Sequence, residues 1–333
     1  MGLGLVSPRV AGTGRRASRN GRGLPRPYCG GDGVKSWRQR LAKIPGAEYL
    51  LDEPMSRHTS FRIGGPADLM AIAESPESLG KLITAALEYD VPITVLGGGT
   101  NVLVLDGGVR GLVLKLGTQF ANVRESGGGL CARAALPLAR LLAEARIRCL
   151  SGLEFAAGIP GTVGGGLWVN CGALGQALGS RFASASGISH SGEAVSVSRG
   201  DVKFTYRRSV FPIPMVVTEV TFELEKGDPV GMDKAMHDAL ERRKHQPLDV
   251  PSAGCVFKNP ADEPAARLID GAALKGLQRG GAKVSHRHAN YIVNKGGATA
   301  TEVLELIAEV QREVLERFGV SLETEVRVIG EEL

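Results

Sequence analysis

The sequence predicts the α+β class, and three observations carry that prediction. Helical patterns and short strand-like runs follow one another irregularly along 333 residues, without a repeat. Glycine reaches 46 residues while aromatics make up only 5% of the chain. Glycine clusters in two segments about 60 residues apart, each bordered by apolar runs.

The elements follow in order. Ser75-Pro76-Glu77 supplies an N-cap, a proline for the first helical position and an early acid, and Leu79, Leu82, Ile83, Ala86 and Leu87 continue at helical spacing to near Asp90. Pro92 to Leu96 reads as a buried strand that runs into Gly97-Gly98-Gly99-Thr100-Asn101, after which Val102 to Leu105 is strand again. A strand at Gly111–Leu116 and a helix at Leu136–Ala145 precede the second glycine segment, Gly158 to Gly166, read as a loop. From Ala183 to Leu224 short strands separated by turns at His190-Ser191-Gly192 and Gly200-Asp201 suggest a mixed sheet. A helix is expected at Met232–Arg243, and the prolines 247, 251 and 260 frame an irregular loop around Cys255. Thr299 with Glu302 forms a capping box for a last helix that stops at Gly319, and Glu323–Ile329 closes the chain as a strand.

Consecutive glycines allow positive φ and bring backbone N–H groups close to a ligand, a nest suited to phosphate oxygens. Neither segment carries a common nucleotide motif. A dinucleotide fingerprint needs GxGxxG between a strand and a helix, and here Val102 and Val169 stand where the third glycine is required. A Walker loop needs GKS or GKT, which is absent. Two nests in one α+β body point to a dinucleotide held between two subdomains, of a kind the spacing leaves open; plain tight turns are the alternative.

Charge and cysteine content exclude other classes. Residues 1–40 hold nine Lys and Arg against one acid, so the whole-chain charge of +5 conceals a body of about −3. The tail reads as a disordered basic leader over residues 1–35, with a polyanion-binding arm as the functional alternative. Five scattered cysteines without a CxxC pair argue against a disulfide framework and a zinc site, and His286-Arg287-His288 lacks a third ligand, so no metal is expected. No apolar run reaches the roughly 18 residues that span a bilayer, and the expected location is cytoplasmic.

With the motifs assembled, the chain resembles a known family. The loop Leu96 to Val104 resembles the pyrophosphate loop of the vanillyl-alcohol-oxidase-type (PCMH-type) FAD-binding fold. Thr59-Ser60-Phe61-Arg62-Ile63-Gly64-Gly65-Pro66-Ala67, the run Gly152 to Gly165, Tyr206-Arg207-Arg208-Ser209-Val210-Phe211, Pro251 to Pro260 and the terminal Glu325-Val326-Arg327 resemble, in order, the UDP-N-acetylenolpyruvoylglucosamine reductase family. The match runs from about residue 40 to the end, and the short interval from Phe211 to Glu223 fits the family's shorter, second type.

The resemblance implies two FAD-binding subdomains at 40–105 and 106–225, a C-terminal α+β substrate domain at 226–320 and a closing strand at 321–333 carrying Glu325. It implies FAD as cofactor, NADPH as co-substrate, and reduction of UDP-N-acetylglucosamine enolpyruvate to UDP-N-acetylmuramate for peptidoglycan, by a monomer without membrane insertion or nucleic acid. Gly97, Gly98, Gly99, Thr100, Asn101, Gly158, Ile159, Gly161 and Gly164 fall at the flavin positions. Arg207 and a protonated Glu325 fall where charge building on the enolpyruvyl carboxylate must be stabilised. Cys255 replaces the family's usual serine proton donor; a thiol is mostly protonated at pH 7 and can serve. Tyr206, Asn259, Arg243 and Lys244 are substrate candidates, though either cation can equally be solvated, and His288 with Asn290 braces the pocket. Two rivals stay open: a flavin oxidase of the same fold, and a noncatalytic nucleotide-binding regulator.

Overall fold

The computed structural model describes residues 32–333. Helix α1 (Asp32–Leu41) begins inside the stretch expected as a leader, and residues 1–31, the remainder of that expectation, lie outside the described residues. Its Trp37 and Leu41 are buried against the first apolar core, so the chain is held from this helix onward.

That core lies between α2 (Pro76–Glu88) and a four-stranded sheet of order β1-β2-β5-β3, with β1 Ala47–Pro54, β2 Pro66–Ala73, β3 Ile93–Val95 and β5 Val109–Leu116. Strand β5 shows the period-two logic of a sheet buried on both faces. Leu112 and Leu114 pack toward α2, whereas Val109 and Val113 join Met55, Met70 and Leu96 on the other side. Helix α2 begins as its sequence requires: Ser75 caps it in a capping box with Ser78, Pro76 follows, and Leu79, Leu82, Ile83 and Ala86 are buried. Strand β4 (Val102–Val104) leaves this sheet and pairs instead, in parallel, with the closing strand Arg327–Ile329.

The second core fills one face of a five-stranded sheet whose order is 194–198, 182–189, 215–222, 129–133, 123–126. All its pairings are antiparallel, unlike the mixed sheet expected for this region; strands 182–189 and 194–198 are joined by a tight turn, which enforces antiparallel pairing. Helices α3 (Leu138–Ile147) and α4 (Val163–Trp168) pack on it. Helix α4 departs from the loop expected at 158–166. Glycine disfavours helix by about 1 kcal/mol per residue, but packing overrides it. A Cβ on Gly164 would stand 2.9 Å from Ala134 Cβ, and one on Gly166 3.0 Å from Cys171 Sγ. Only glycine lets this turn lie so close to the sheet.

Helix α5 (Pro229–Glu241), capped by Asp228, contributes Ala239 to the same second core. Beyond it, α6 (Ala265–Gly271), a three-stranded sheet and α7 (Ala300–Phe318) enclose a third core. Helix α7 has the expected capping box and ends at Gly319 with φ 67°, a left-handed C-cap. This third body is tied to the first. Phe61, Ile63 and Leu103 lie in its core, and Asp106 accepts hydrogen bonds from the α7 amides of Ala300 and Thr301 at 2.8 and 3.0 Å. Among the described residues, no helix is long and apolar enough to cross a membrane.

Candidate active site

The two glycine segments face each other. A Cβ on Gly97 would stand 3.0 Å from Thr162 Oγ1, one on Gly98 3.0 Å from Gly161 Cα, and one on Gly161 2.9 Å from Thr100 Oγ1. Gly99 has φ 62°, and a Cβ there would overlap the His58 carbonyl at 2.1 Å. Ser60 fixes the first loop from outside: its amide donates to the Gly99 carbonyl at 3.0 Å, and its hydroxyl donates to the Ser252 carbonyl at 2.6 Å.

Both loops keep free donors among the described residues, the second (Gly158, Gly161 and Thr162) interspersed with committed ones. Among the described residues, the amides of Gly97, Gly98, Gly99 and Thr100 have no protein acceptor. The amides of Ile159, Val163 and Gly164 are already committed, to Ala156, Leu136 and Ala134 carbonyls. Gly164 spends its amide on the Ala134 carbonyl and lies against Ala134, and Gly158 (φ 77°) packs under the Arg243 side chain. A cradle of uncommitted amides that any side chain would fill fits the pyrophosphate of a dinucleotide. Replacing Gly99 by Val combines left-handed strain with the 2.1 Å overlap. A strain of about 1–3 kcal/mol corresponds to roughly 5- to 150-fold weaker cofactor binding, read as flavin absorbance per protein after purification.

Next to this cradle the closing strand delivers its acid. The Arg327 amide donates to the Asn101 carbonyl and the Asn101 side chain donates to the Glu325 carbonyl, at 3.0 and 3.3 Å. The Glu325 amide donates to the Val256 carbonyl at 2.7 Å, which sets Glu325 beside the Cys255 loop. From the second body, Arg207 Nε reaches Glu325 Oε1 at 2.8 Å, an ion pair by distance rather than an aligned hydrogen bond. Arg207 is held at φ 55°, and its guanidinium also donates to the Gly172 carbonyl at 2.8 Å. Three residues far apart in sequence thus meet, with Cys255 in electrostatic reach of both Arg207 and Glu325.

Burial governs the protonation of this cluster. It pushes the Glu325 carboxyl above its ordinary value, and Arg207 only partly opposes it. Burial likewise pushes the Cys255 thiol up to about 11, reinforced by Glu325 and countered by Arg207, Tyr291 and Arg243. A neutral-pH Cys255 is therefore a thiol, the form that can give a proton. Burial pulls Arg243 down. Burial also lowers His288, helped by Lys275, so its imidazole is biased toward the neutral form.

Other expected residues divide. Arg243 is partly buried, bonded to Gln246 and within electrostatic reach of Tyr291, Cys255 and Arg207. Lys244 is exposed and paired with Glu241, away from the cluster. Tyr206 is 56% exposed, stacks with the Arg207 guanidinium and accepts from the Asn259 amide at 3.4 Å. The Asn259 side chain is turned to its own chain, accepting from the Ala265 amide. Asn290, 2% exposed, clamps the Cys255 loop by bonding both the amide and the carbonyl of Phe257. His288 packs edge-on against Tyr291, ring centres 4.9 Å apart. Three residues were not anticipated in these places: Ser60 and Asn294, which join the bodies, and Tyr291. Asn294 donates to the Phe61 carbonyl at 3.1 Å, and its only advance signal was a polar residue at the end of an apolar strand.

Comparison with known proteins agrees with this geometry. Residues 67–198 match the FAD binding domain family, and residues 246–329 match the C-terminal domain of UDP-N-acetylenolpyruvoylglucosamine reductase. Together with the cradle, these place the chain among flavin-binding oxidoreductases, with FAD as cofactor. The UDP-N-acetylenolpyruvoylglucosamine reductase of Alkaliphilus oremlandii is 41% identical over 303 residues, covering 90% of this chain and all of that protein. That of Levilactobacillus brevis is 42% identical over 291 residues, covering 87% and 95%. The crystal structure of the Thermus caldophilus reductase superposes with a TM-score of 0.75 at 35% identity, covering 85% of this chain and 99% of that one. The chain belongs to the UDP-N-acetylenolpyruvoylglucosamine reductase family.

Proposed function

We propose that this enzyme reduces the enolpyruvyl ether of UDP-N-acetylglucosamine to the lactyl ether of UDP-N-acetylmuramate at the expense of NADPH, a step in peptidoglycan precursor synthesis. The observation that carries the reading is the convergence of Arg207, Cys255 and Glu325, from three separate segments, in one buried cluster next to the flavin cradle. The flavin-holding part comprises residues 40–105 and 106–225, and residues 226–320 form the substrate side.

The uncommitted amides of residues 97–100 would hold the FAD pyrophosphate. When bound and reduced by NADPH, FAD supplies a hydride for C3 of the enolpyruvyl group. The protein then manages the negative charge left at C2 and on the adjacent carboxylate. Arg207 is the cation for that carboxylate. A second anion beside Arg207 raises the Glu325 pKa further, since like charges disfavour ionisation and burial has already raised it. Glu325 thereby keeps its proton and donates a hydrogen bond where charge develops. Cys255 gives its proton to C2: the S–H bond breaks, the C2–H bond forms, and the thiolate is reprotonated from solvent.

Oxidation of NADPH that requires the enolpyruvyl sugar nucleotide, with UDP-N-acetylmuramate as product, supports this reading; oxidation at the same rate without it overturns the reading in favour of an oxidase. The two neighbouring cations separate as well. Arg243→Ala is expected to raise the KM for the sugar nucleotide by about tenfold or more, the cost of a charge-assisted hydrogen bond, while Lys244→Ala changes it less than about twofold. Steady-state kinetics with the sugar nucleotide varied check both.

A further inference from the structure

Beside the first glycine loop three polar side chains form a line. His58 Nε2 lies 3.1 Å from Glu53 Oε1, and Lys115 Nζ lies 3.3 Å from His58 Nδ1. A carboxylate only accepts, so in the neutral ring Nε2 carries the hydrogen and donates to Glu53, which leaves Nδ1 to accept from Lys115. The His58 and Glu53 side chains are mostly buried. His58 also turns its backbone carbonyl against Gly99, where a Cβ would stand 2.1 Å from the oxygen. One residue thus touches the loop with its backbone and Lys115 with its ring.

Lys115 lacks a counter-ion. An ammonium has three donors, and among the described residues only His58, a neutral acceptor, takes one. The charge is half-buried, burial pulls its pKa down, and a charge withdrawn from water is costly unless paired. The carboxylate in this line, Glu53, is one imidazole away and is shared with Arg57 at 3.7 Å. Position supplies the missing anion. Lys115 follows Val113 by two residues on β5 and so shares the sheet face of Met55 and Leu96, the residue that leads into Gly97. Strands β3 and β5 run parallel, with Val95 beside Leu114, so Gly97 and Lys115 emerge at the same carboxyl edge, where parallel sheets bind their ligands. We propose that Lys115 is a cation of the FAD pyrophosphate site and that His58, backed by Glu53, orients it. The ring holds one N–H of the ammonium and leaves two for phosphate oxygens, next to the uncommitted amides of residues 97–100. The inference rests on the placement of the pyrophosphate at those amides given above.

The test is the FAD dissociation constant, read from flavin fluorescence as the FAD-loaded full-length protein is diluted, together with the phosphorus NMR resonances of the bound FAD. Lys115→Met weakens FAD binding about tenfold or more, the worth of a hydrogen bond to a charged group, and moves the pyrophosphate resonances. His58→Ala weakens it less, and His58→Gln, with one acceptor and one donor, restores it. Lys115→Gln, polar but uncharged, serves if Lys115→Met does not fold. Unchanged FAD affinity in the Lys115 variants overturns the proposal, even if binding of the sugar nucleotide falls. Weaker FAD binding with unmoved phosphorus resonances marks a general loosening and overturns it as well. His58→Gln no better than His58→Ala overturns the orienting role. Gly99→Val, measured alongside, separates this inference from the reading beneath it: if it loosens FAD and the Lys115 variants do not, the cradle stands and Lys115 falls, and if none of them does, both fall.

Discussion

Cys255→Ala leaves reduction of the flavin by NADPH as fast as in the parent protein and slows product formation by about 10²- to 10⁴-fold, the usual worth of a positioned general acid. Cys255→Ser keeps substantial turnover. The reason is protonation state rather than nucleophilicity. A reactive cysteine has a depressed pKa and an exposed thiolate, whereas burial pushes Cys255 up to about 11. A serine hydroxyl also holds its proton at neutral pH, so it can fill the same place; a methyl group cannot. Single-turnover absorbance traces of the two half-reactions check this. Equal product formation in Cys255→Ala and the parent would remove Cys255 from the mechanism.

Glu325→Gln slows product formation by about 10²- to 10³-fold, the range seen when one donor to a developing oxyanion is removed. It should also change the pH dependence. Burial raises the Glu325 pKa against the pull of Arg207, so the proton-bearing form persists above the ordinary carboxylate range and is lost as pH rises through the raised value. The parent rate of product formation therefore falls with rising pH through that window. Cys255 ionises far above it and contributes nothing there. In Glu325→Gln the amide is a donor at every pH, and the descending limb attributed to Glu325 disappears. Rates of product formation across pH in both proteins check the sign; the same descending limb in the Gln variant would assign it to another group.

Local patterns announced the elements with strong caps. Ser75-Pro76 and Thr299 with Glu302 mark the starts of α2 and α7 because the capping chemistry is carried within four residues. Helix α4 was hidden, since its glycines are explained only by Ala134 and Cys171 lying against them. The pairing of β4 with Arg327–Ile329 was hidden too: nothing in either strand specifies a partner more than 200 residues away. At the site, residue types indicated a phosphate nest, but Arg207 and Glu325 were singled out only by family resemblance. Arg243 and Lys244 were indistinguishable as neighbours in sequence; one turned inward and the other to Glu241 once the end of α5 was placed.

The most direct test of the central claim is anaerobic stopped-flow absorbance near 450 nm, mixing the FAD-loaded protein with NADPH and then with UDP-N-acetylglucosamine enolpyruvate. The account predicts bleaching by NADPH and rapid recovery of the yellow colour on adding the sugar nucleotide, without oxygen. Bleaching followed by recovery only when air is admitted would contradict it.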